Sequence, residues 1–365
     1  MDNTNTIVLT GGGTAGHVTL NINLENELQK HFDKILYIGS KNGIEKELIT
    51  KNTNYTYLPI TTVKFERKKL FKNLSIPFKL KKGINEAKKI LKETKTKIVF
   101  SKGGYVGLPV VIAAHKLKIP VVCHESDITM GLANKIAKKY ANVICTNFEI
   151  TSIKNGKKCI FTGMPLKLSN LSKIEAKQKL GIKTNKPILL ITGGSLGAKS
   201  INEFIFKNID DLAKEYYVIH IVGKNNLNKN IKNDSYKQIE FSNDMWTLMK
   251  CADYAISRAG ANTIIELLAN EILTIFIPLP KNVSRGDQIE NAEFLEKENL
   301  SKTLLQENLT LKNLQDCLNF LKSNSISIKK SIKNANYKDG TKSIINIILK
   351  NSNSNFNQTS INKKN

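Results

Sequence analysis

The chain has 365 residues, 41% hydrophobic and 24% charged, with a formal net charge of +25. That length suffices for two domains with separate cores, and the composition is that of a globular protein, not of a disordered or fibrous one. No apolar run approaches the roughly 20 residues that span a bilayer, and residues 1–6 lack the basic start and long apolar core of an export signal, so a cytoplasmic product is expected.

In chain order, an apolar β-type run at 6–9 feeds the loop Gly11-Gly12-Gly13-Thr14-Ala15-Gly16 and a helix over 20–31, and strand 35–38 follows. Residues 64–97 then hold thirteen Lys/Arg and three Glu, which is +10 of the +25. Phe65, Leu70, Phe71, Leu74, Ile76, Phe78 and Leu80 are interleaved with these charges. Apolar residues among lysines suit a surface that rests on an anionic leaflet. No helix-turn-helix, zinc-finger or RNP-type pattern accompanies the charge, so nucleic acid is not the expected partner. Helix 84–93, strand 98–100, strand 121–124, helix 132–140 and strand 143–145 complete the first half.

The second half opens again with strand 188–192 and the loop Gly193-Gly194-Ser195-Leu196-Gly197-Ala198, followed by strands 217–222, 254–257 and 273–278. Alternating strands and helices predict an α/β fold built on parallel sheets. The repeated opening of strand, glycine loop and helix predicts two Rossmann-like domains, 1–163 and 164–350. The last helix is free to pack back on the first, and an Asn/Ser/Lys-rich disordered tail over 351–365 closes the chain. Five cysteines (Cys123, Cys145, Cys159, Cys251, Cys317) form no Cys-x-x-Cys pair and read as buried free thiols.

Four glycine loops lie between a strand and a helix: 11–16, 103–107, 193–197 and 258–262. Glycine lets the backbone approach a ligand, and a helix N-terminus behind it favours an anion. The first loop departs from G-x-G-x-x-G, and Gly39, Ser40 and Lys41 follow strand 35–38 where a dinucleotide site needs an acid. No Walker-type G-x-x-x-x-G-K-[ST] occurs, and no Asp-x-Asp that would hold a phosphate-bridging metal. Loops of this kind collect at the carboxyl edge of a doubly wound sheet, so two such edges facing each other would form a cleft for a diphosphate.

Seven ordered motifs then identify a resemblance. They are Gly11-Gly12-Gly13-Thr14-Ala15-Gly16-His17, Lys102-Gly103-Gly104-Tyr105-Val106, His124-Glu125-Ser126-Asp127 with Gly131-Leu132-Ala133-Asn134-Lys135, Thr162-Gly163-Met164-Pro165, Gly193-Gly194-Ser195-Leu196-Gly197-Ala198, the run from Ser257 to Glu266, and the run from Ser284 to Ala292. Over nearly its whole length the chain resembles the peptidoglycan N-acetylglucosaminyltransferases, GT-B glycosyltransferases with two facing Rossmann-like domains that act on undecaprenyl-diphospho-muramyl-peptide.

The resemblance implies an inverting transfer of N-acetylglucosamine from UDP-N-acetylglucosamine to the C4 hydroxyl of that lipid-linked sugar, without cofactor or metal, at the cytoplasmic face of the cell membrane. It makes His17 the general base, a role an imidazole can fill at neutral pH. Glu266 would accept from the ribose hydroxyls, Ser195 and its loop would hold the diphosphate, and Gln288 would read the transferred sugar with Asp287 beside it. Thr14, Ala15 and Gly16 would line the pocket, Lys167 would contact the donor, and Tyr105 and Asp127 would shape the acceptor side. The chain departs from the family's usual pattern at Ala15, often glycine, at Lys167, often arginine, at Ser126-Asp127, a Gln-Asn pair in one branch, and at Gly107, commonly serine. Two related activities share this architecture: a glycolipid synthase using diacylglycerol, and a nucleotide-sugar epimerase.

Overall fold

The computed structural model describes residues 4–64, 74–167, 169–194 and 197–361, with side chains described to 353. The chain divides into two compact units, Met1–Leu166 with Asp339–Asn365, and Lys167–Lys338.

In the first unit seven strands form one sheet: β1 (Thr6–Thr10), β2 (Lys34–Ser40), β3 (Thr56–Ile60), β4 (Ile98–Ser101), β5 (Val121–Glu125), β6 (Val143–Thr146) and β7 (Cys159–Phe161). Their spatial order is β3-β2-β1-β4-β5-β6-β7, every pairing parallel. Every residue of β1, β4 and β5 is buried, as expected of central strands covered by helices on both faces. Helix Gly104–Lys116 contributes Val110, Val111, Ala113 and Ala114 to that core, and helix Ile76–Glu93 contributes Ala87 and Leu91.

The second unit repeats the plan with β8 (Ile188–Thr192), β9 (Tyr217–Ile221), β10 (Tyr236–Ile239), β11 (Tyr254–Ser257), β12 (Leu273–Phe276) and β13 (Lys302–Thr303). The order is β10-β9-β8-β11-β12-β13, again wholly parallel. Each sheet reverses direction beside its first strand, between β1 and β4 and between β8 and β11, and at such a switch point the loops diverge to leave a crevice. The register ends alike in the two units, with Thr10 beside Ser101 and Thr192 beside Ser257.

The structure departs from the sequence reading in three places. The helix expected over 20–31 is two, Gly16–Asn23 and Glu25–Leu28. The second unit, expected to run to 350 with its last helix free to pack back on the first, ends at Lys338, and the chain returns to the first unit from Asp339. The tail expected from 351 is helical as far as Ile361, because it continues helix Thr341–Ile361, anchored on the first unit by buried Ile344, Ile345 and Ile348. Within it, Asn351 Nδ2 donates to the Ile347 carbonyl and Ser352 Oγ to that of Leu349.

The two crossings of the chain lie side by side within the first unit. Gly340 N donates to the Met164 carbonyl at 2.9 Å, and Leu166 N to Asp339 Oδ1 at 2.9 Å. Asp339 also receives Thr341 N at 3.0 Å, which caps the final helix. All five cysteines are free and buried.

Candidate active-site loops

In the first unit the loop after β1 turns on Gly11, Gly12 and Gly13, all at positive φ, and enters helix Gly16–Asn23. The turn is sterically closed to larger residues: a Cβ on Gly12 would stand 2.7 Å from the Glu45 carboxyl carbon, and one on Gly13 2.6 Å from the Tyr105 ring. Gly104 lies against it, its Cβ position 2.6 Å from the Gly12 carbonyl oxygen. Tyr37 Oη donates to the Gly11 carbonyl at 2.9 Å, and the buried phenol is held neutral by desolvation.

His17 sits on the first turn of that helix, half-buried, with Nδ1 2.7 Å from Thr14 Oγ1. Thr14 and Gly16 are exposed and Ala15 half-buried. An Nδ1–H donated to Thr14 would place the basic lone pair on Nε2. Tyr105 is half-buried at the start of helix Gly104–Lys116.

Beside this loop lies a buried polar cluster at the ends of β4 and β5. Lys102 is only 2% exposed and its ammonium donates to Ser126 Oγ. Burial lowers the Lys102 pKa, against the attraction of Glu125 and Asp127. The Glu125 carboxylate accepts four hydrogen bonds, from Ser126 N (2.8 Å), Asp127 N (3.0 Å), Gly131 N (2.9 Å) and Asn134 Nδ2 (3.0 Å), which fold its loop around it. His124 is fully buried, with Nε2 3.0 Å from the Gly163 carbonyl oxygen, and burial together with Lys102 holds its pKa well below the usual imidazole value. His124 is therefore a neutral structural residue, and Asp127 lies half-buried at the rim of the cluster.

The second unit carries a cavity of about 760 Å³ at the carboxyl ends of its strands, within the size range of small-molecule sites. Gly193, Gly194 and Gly197 line it, as do Ser200, Arg258 and Gln288. Gly197 is at φ +76 with its Cβ position 2.1 Å from the Val222 carbonyl oxygen, so the loop closes only on glycine. Helix Lys199–Glu215 begins behind it, and among the described residues no side chain caps its first N–H groups. Ser195, the expected diphosphate contact, lies outside the described residues.

Glu266 is half-buried on helix Ala261–Ala269 and, though Gly260 and Thr263 line the cavity, is not itself among the lining residues. Desolvation pushes its carboxyl pKa up to about 7, and among the described residues no protein donor reaches the carboxyl oxygens. Gln288 lines the cavity with Oε1 accepting from Leu279 N at 3.1 Å, which leaves its amide NH2 to donate. Asp287 instead faces Arg285 at 3.4 Å and does not line the cavity. Lys167 is exposed and outside the cavity lining as well.

Two residues of this region escaped the sequence reading. Glu45 sits beneath the first loop, and only the acid after Gly43-Ile44 at a helix start signalled it. Arg258 is almost wholly buried, its guanidinium donating to the carbonyls of Ile277 (3.0 Å) and Pro278 (3.1 Å), to Ser200 Oγ (2.9 Å) and to Gln306 Oε1 (2.7 Å). It is thus part of the cavity wall and ties the strand end to Ser200 and Gln306.

The chain matches the glycosyltransferase family 28 N-terminal domain over residues 7–146 and the family 28 C-terminal domain over 188–347. It is 48% identical over 350 residues to the UDP-N-acetylglucosamine--N-acetylmuramyl-(pentapeptide) pyrophosphoryl-undecaprenol N-acetylglucosamine transferase of Clostridium botulinum (strain Kyoto / Type A2), covering 94% of this chain and 98% of the relative. The enzyme of the same name from Clostridium tetani is 46% identical over 351 residues, covering 94% and 97%. The crystal structure of Acinetobacter baumannii MurG superposes with a TM-score of 0.74 at 24% identity, covering 95% of this chain and 99% of that one.

Proposed function

The chain belongs to glycosyltransferase family 28, and from that premise we propose that it transfers N-acetylglucosamine from UDP-N-acetylglucosamine to N-acetylmuramyl-(pentapeptide) pyrophosphoryl-undecaprenol, making the lipid-linked disaccharide of peptidoglycan. The observation that carries the reading is the near-half identity, over almost the full length of both chains, to relatives bearing that name.

In this reading the second unit holds the donor. The Glu266 carboxylate accepts the two ribose hydroxyls, a task for which its free oxygens suit it. The loop 193–197 and the uncapped start of helix Lys199–Glu215 receive the diphosphate. The Gln288 amide donates to the transferred sugar, its oxygen already engaged by Leu279 N. Asp287, beside Gln288 and facing Arg285, borders the sugar, and Lys167 adds a positive charge for the donor.

The first unit holds the acceptor. His17 Nε2 removes the proton of the C4 hydroxyl, with Nδ1–H donated to Thr14 Oγ1. The oxygen attacks the anomeric carbon, the bond from that carbon to the β-phosphate oxygen breaks, UDP departs with the electron pair, and configuration inverts. The helix N-terminus in the second unit stabilises the charge that develops on the leaving diphosphate. Tyr105 and Asp127 border the acceptor.

We assign the enzyme to the cytoplasmic membrane face as a peripheral protein. Leu74 and Phe78 are 73% and 77% exposed beside exposed Lys79, Lys81 and Lys82, while residues 65–73 of the basic stretch lie outside the described residues. Among the described residues no helix is long and apolar enough to cross a membrane.

The test is incubation of the full chain with labelled UDP-N-acetylglucosamine and a short-chain analogue of the lipid-linked muramyl peptide. Formation of a lipid-linked disaccharide is expected. UDP binding without that product, or release of an epimerised sugar in the absence of acceptor, would overturn the reading. His17→Ala is expected to lower kcat by a factor of about 10²–10⁴ while UDP affinity stays within twofold. Near-normal turnover would remove His17 from the base role.

A further inference from the structure

A buried polar chain runs through the second unit, outside the cavity lining. His220 lies on β9, fully buried, with Nε2 3.1 Å from Asn202 Oδ1 and Nδ1 2.9 Å from Tyr236 Oη on β10. Asn202 is buried on helix Lys199–Glu215, and its Nδ2 donates to the Val222 carbonyl at 2.7 Å. Gly197 rests against that same carbonyl, so closely that a Cβ there would strike the oxygen. A carbonyl oxygen can only accept, so Asn202 turns its NH2 to Val222 and its oxygen to His220. His220 Nε2 therefore carries the ring proton and donates it to Asn202, while Nδ1 accepts from the Tyr236 hydroxyl. Burial keeps the imidazole neutral, pushing its pKa down to about 3. The Phe206 ring packs on it with centroids 5.6 Å apart.

The first unit holds a counterpart. Strand register sets Tyr37 beside Leu9 and His220 beside Ile191, one residue before the last of β1 and of β8, so the two rings hold equivalent places. Each is flanked by buried aliphatic residues, Leu36 and Ile38 in one case, Ile219 and Ile221 in the other. Tyr37 likewise meets an asparagine of the following helix, accepting from Asn21 Nδ2 at 3.4 Å, and donates directly to the Gly11 carbonyl. A polar ring supporting a glycine turn is thus built twice, by different residues, at a position where an aliphatic side chain would fill the space and hold nothing.

We propose that His220, with Tyr236 behind it, is a positioning residue for the donor diphosphate. It fixes Asn202 and the Val222 carbonyl, and through them the seat of Gly197 and the first turn of helix Lys199–Glu215. Ser200 in that turn is held separately by Arg258. His220, Asn202 and Tyr236 do not line the cavity, so their effect reaches the substrate only through the backbone they hold. The inference rests on the proposed donor role of the second unit.

The test measures uridine and UDP binding to the full chain by calorimetry. His220→Phe keeps a ring and loses both hydrogen bonds. It is expected to weaken UDP at least about tenfold while uridine, which has no phosphate, stays within about twofold. His220→Gln can still donate to Asn202 and is expected to bind UDP within about threefold of the native protein. Tyr236→Phe removes one hydroxyl from a half-buried side chain, and a loss of about threefold for UDP alone is expected. Equal losses for uridine and UDP in these variants would reduce the network to support of the fold and overturn the proposal. Native UDP affinity in His220→Phe, or His220→Gln no better than His220→Phe, would overturn it too. In the native protein labelled with 15N-histidine, the imidazole signal that His220→Gln removes is expected to be the neutral Nε2–H form from about pH 5 to about pH 8. An Nδ1–H form would overturn the order of the bonds. A native protein that binds neither ligand would overturn the donor assignment instead.

Discussion

Glu266, the residue proposed for the ribose, opposes the stability of its own fold. Its carboxyl is pushed up to about 7 by desolvation alone, so the folded protein holds that proton more tightly than the unfolded chain does. The sign follows: stability is highest below the unfolded carboxyl range and declines as pH rises to 7. Glu266→Gln is therefore expected to stabilise the protein at pH 8 by about 2–3 kcal/mol, with the gain gone at pH 4, as read by denaturant unfolding at both pH values. The proposed ribose contact needs the ionised form of this carboxyl. Affinity for uridine, which carries no phosphate to titrate, is expected to fall roughly tenfold from pH 8 to pH 6. A flat profile would remove Glu266 from the ribose. Glu45 could not be found in the sequence by the same reasoning, because a glutamate in the first turn of a helix is ordinarily a solvated one. Only the fold brings it under a loop some thirty residues away.

At the level of elements, the buried central strands were legible and the edges were not. Strands β1, β4, β5, β8, β11 and β12 are short continuous apolar runs, the pattern that parallel sheets impose. The missed strands are edges or near-edges: β3 contains Pro59, β10 reads Tyr-Lys-Gln-Ile and is half-buried throughout, and β7 and β13 have three and two residues. The glycine loops were legible because glycine is punctuation, but the partners that decide what each loop binds come from distant segments. The return of the last helix to the first unit was an open alternative in the sequence, but the contacts that fix where it joins were not legible. A Cβ on Gly340 would lie 2.4 Å from the Thr162 carbonyl oxygen, a contact no local pattern foretells. Gly340→Ala is expected to destabilise the first unit by about 1–3 kcal/mol. The single tryptophan, Trp246, belongs to the second unit, so its fluorescence should keep its melting point while the far-UV signal loses part of its amplitude at lower temperature. Equal shifts in both signals would contradict this.

At the scale of the whole molecule, the +25 charge is unevenly spent, and the exposed side chains at 74–82 offer both charge and apolar area to an anionic surface. Phe78→Glu is expected to weaken sedimentation with phosphatidylglycerol vesicles at least about fivefold, and added salt to weaken the native protein likewise, while UDP affinity is unchanged. Binding insensitive to both would detach this face from the membrane. The paired crossings at Met164–Leu166 and Asp339–Gly340 bear on how such a chain is made. On the ribosome the segment Lys167–Lys338 is synthesised as one uninterrupted stretch, whereas the first unit must wait for residues 341–361 before its helical cover is complete. The half of the enzyme that begins first is thus the half that finishes last, and nascent chains that have emerged only as far as residue 338 would carry a closed second unit and an unsealed first sheet.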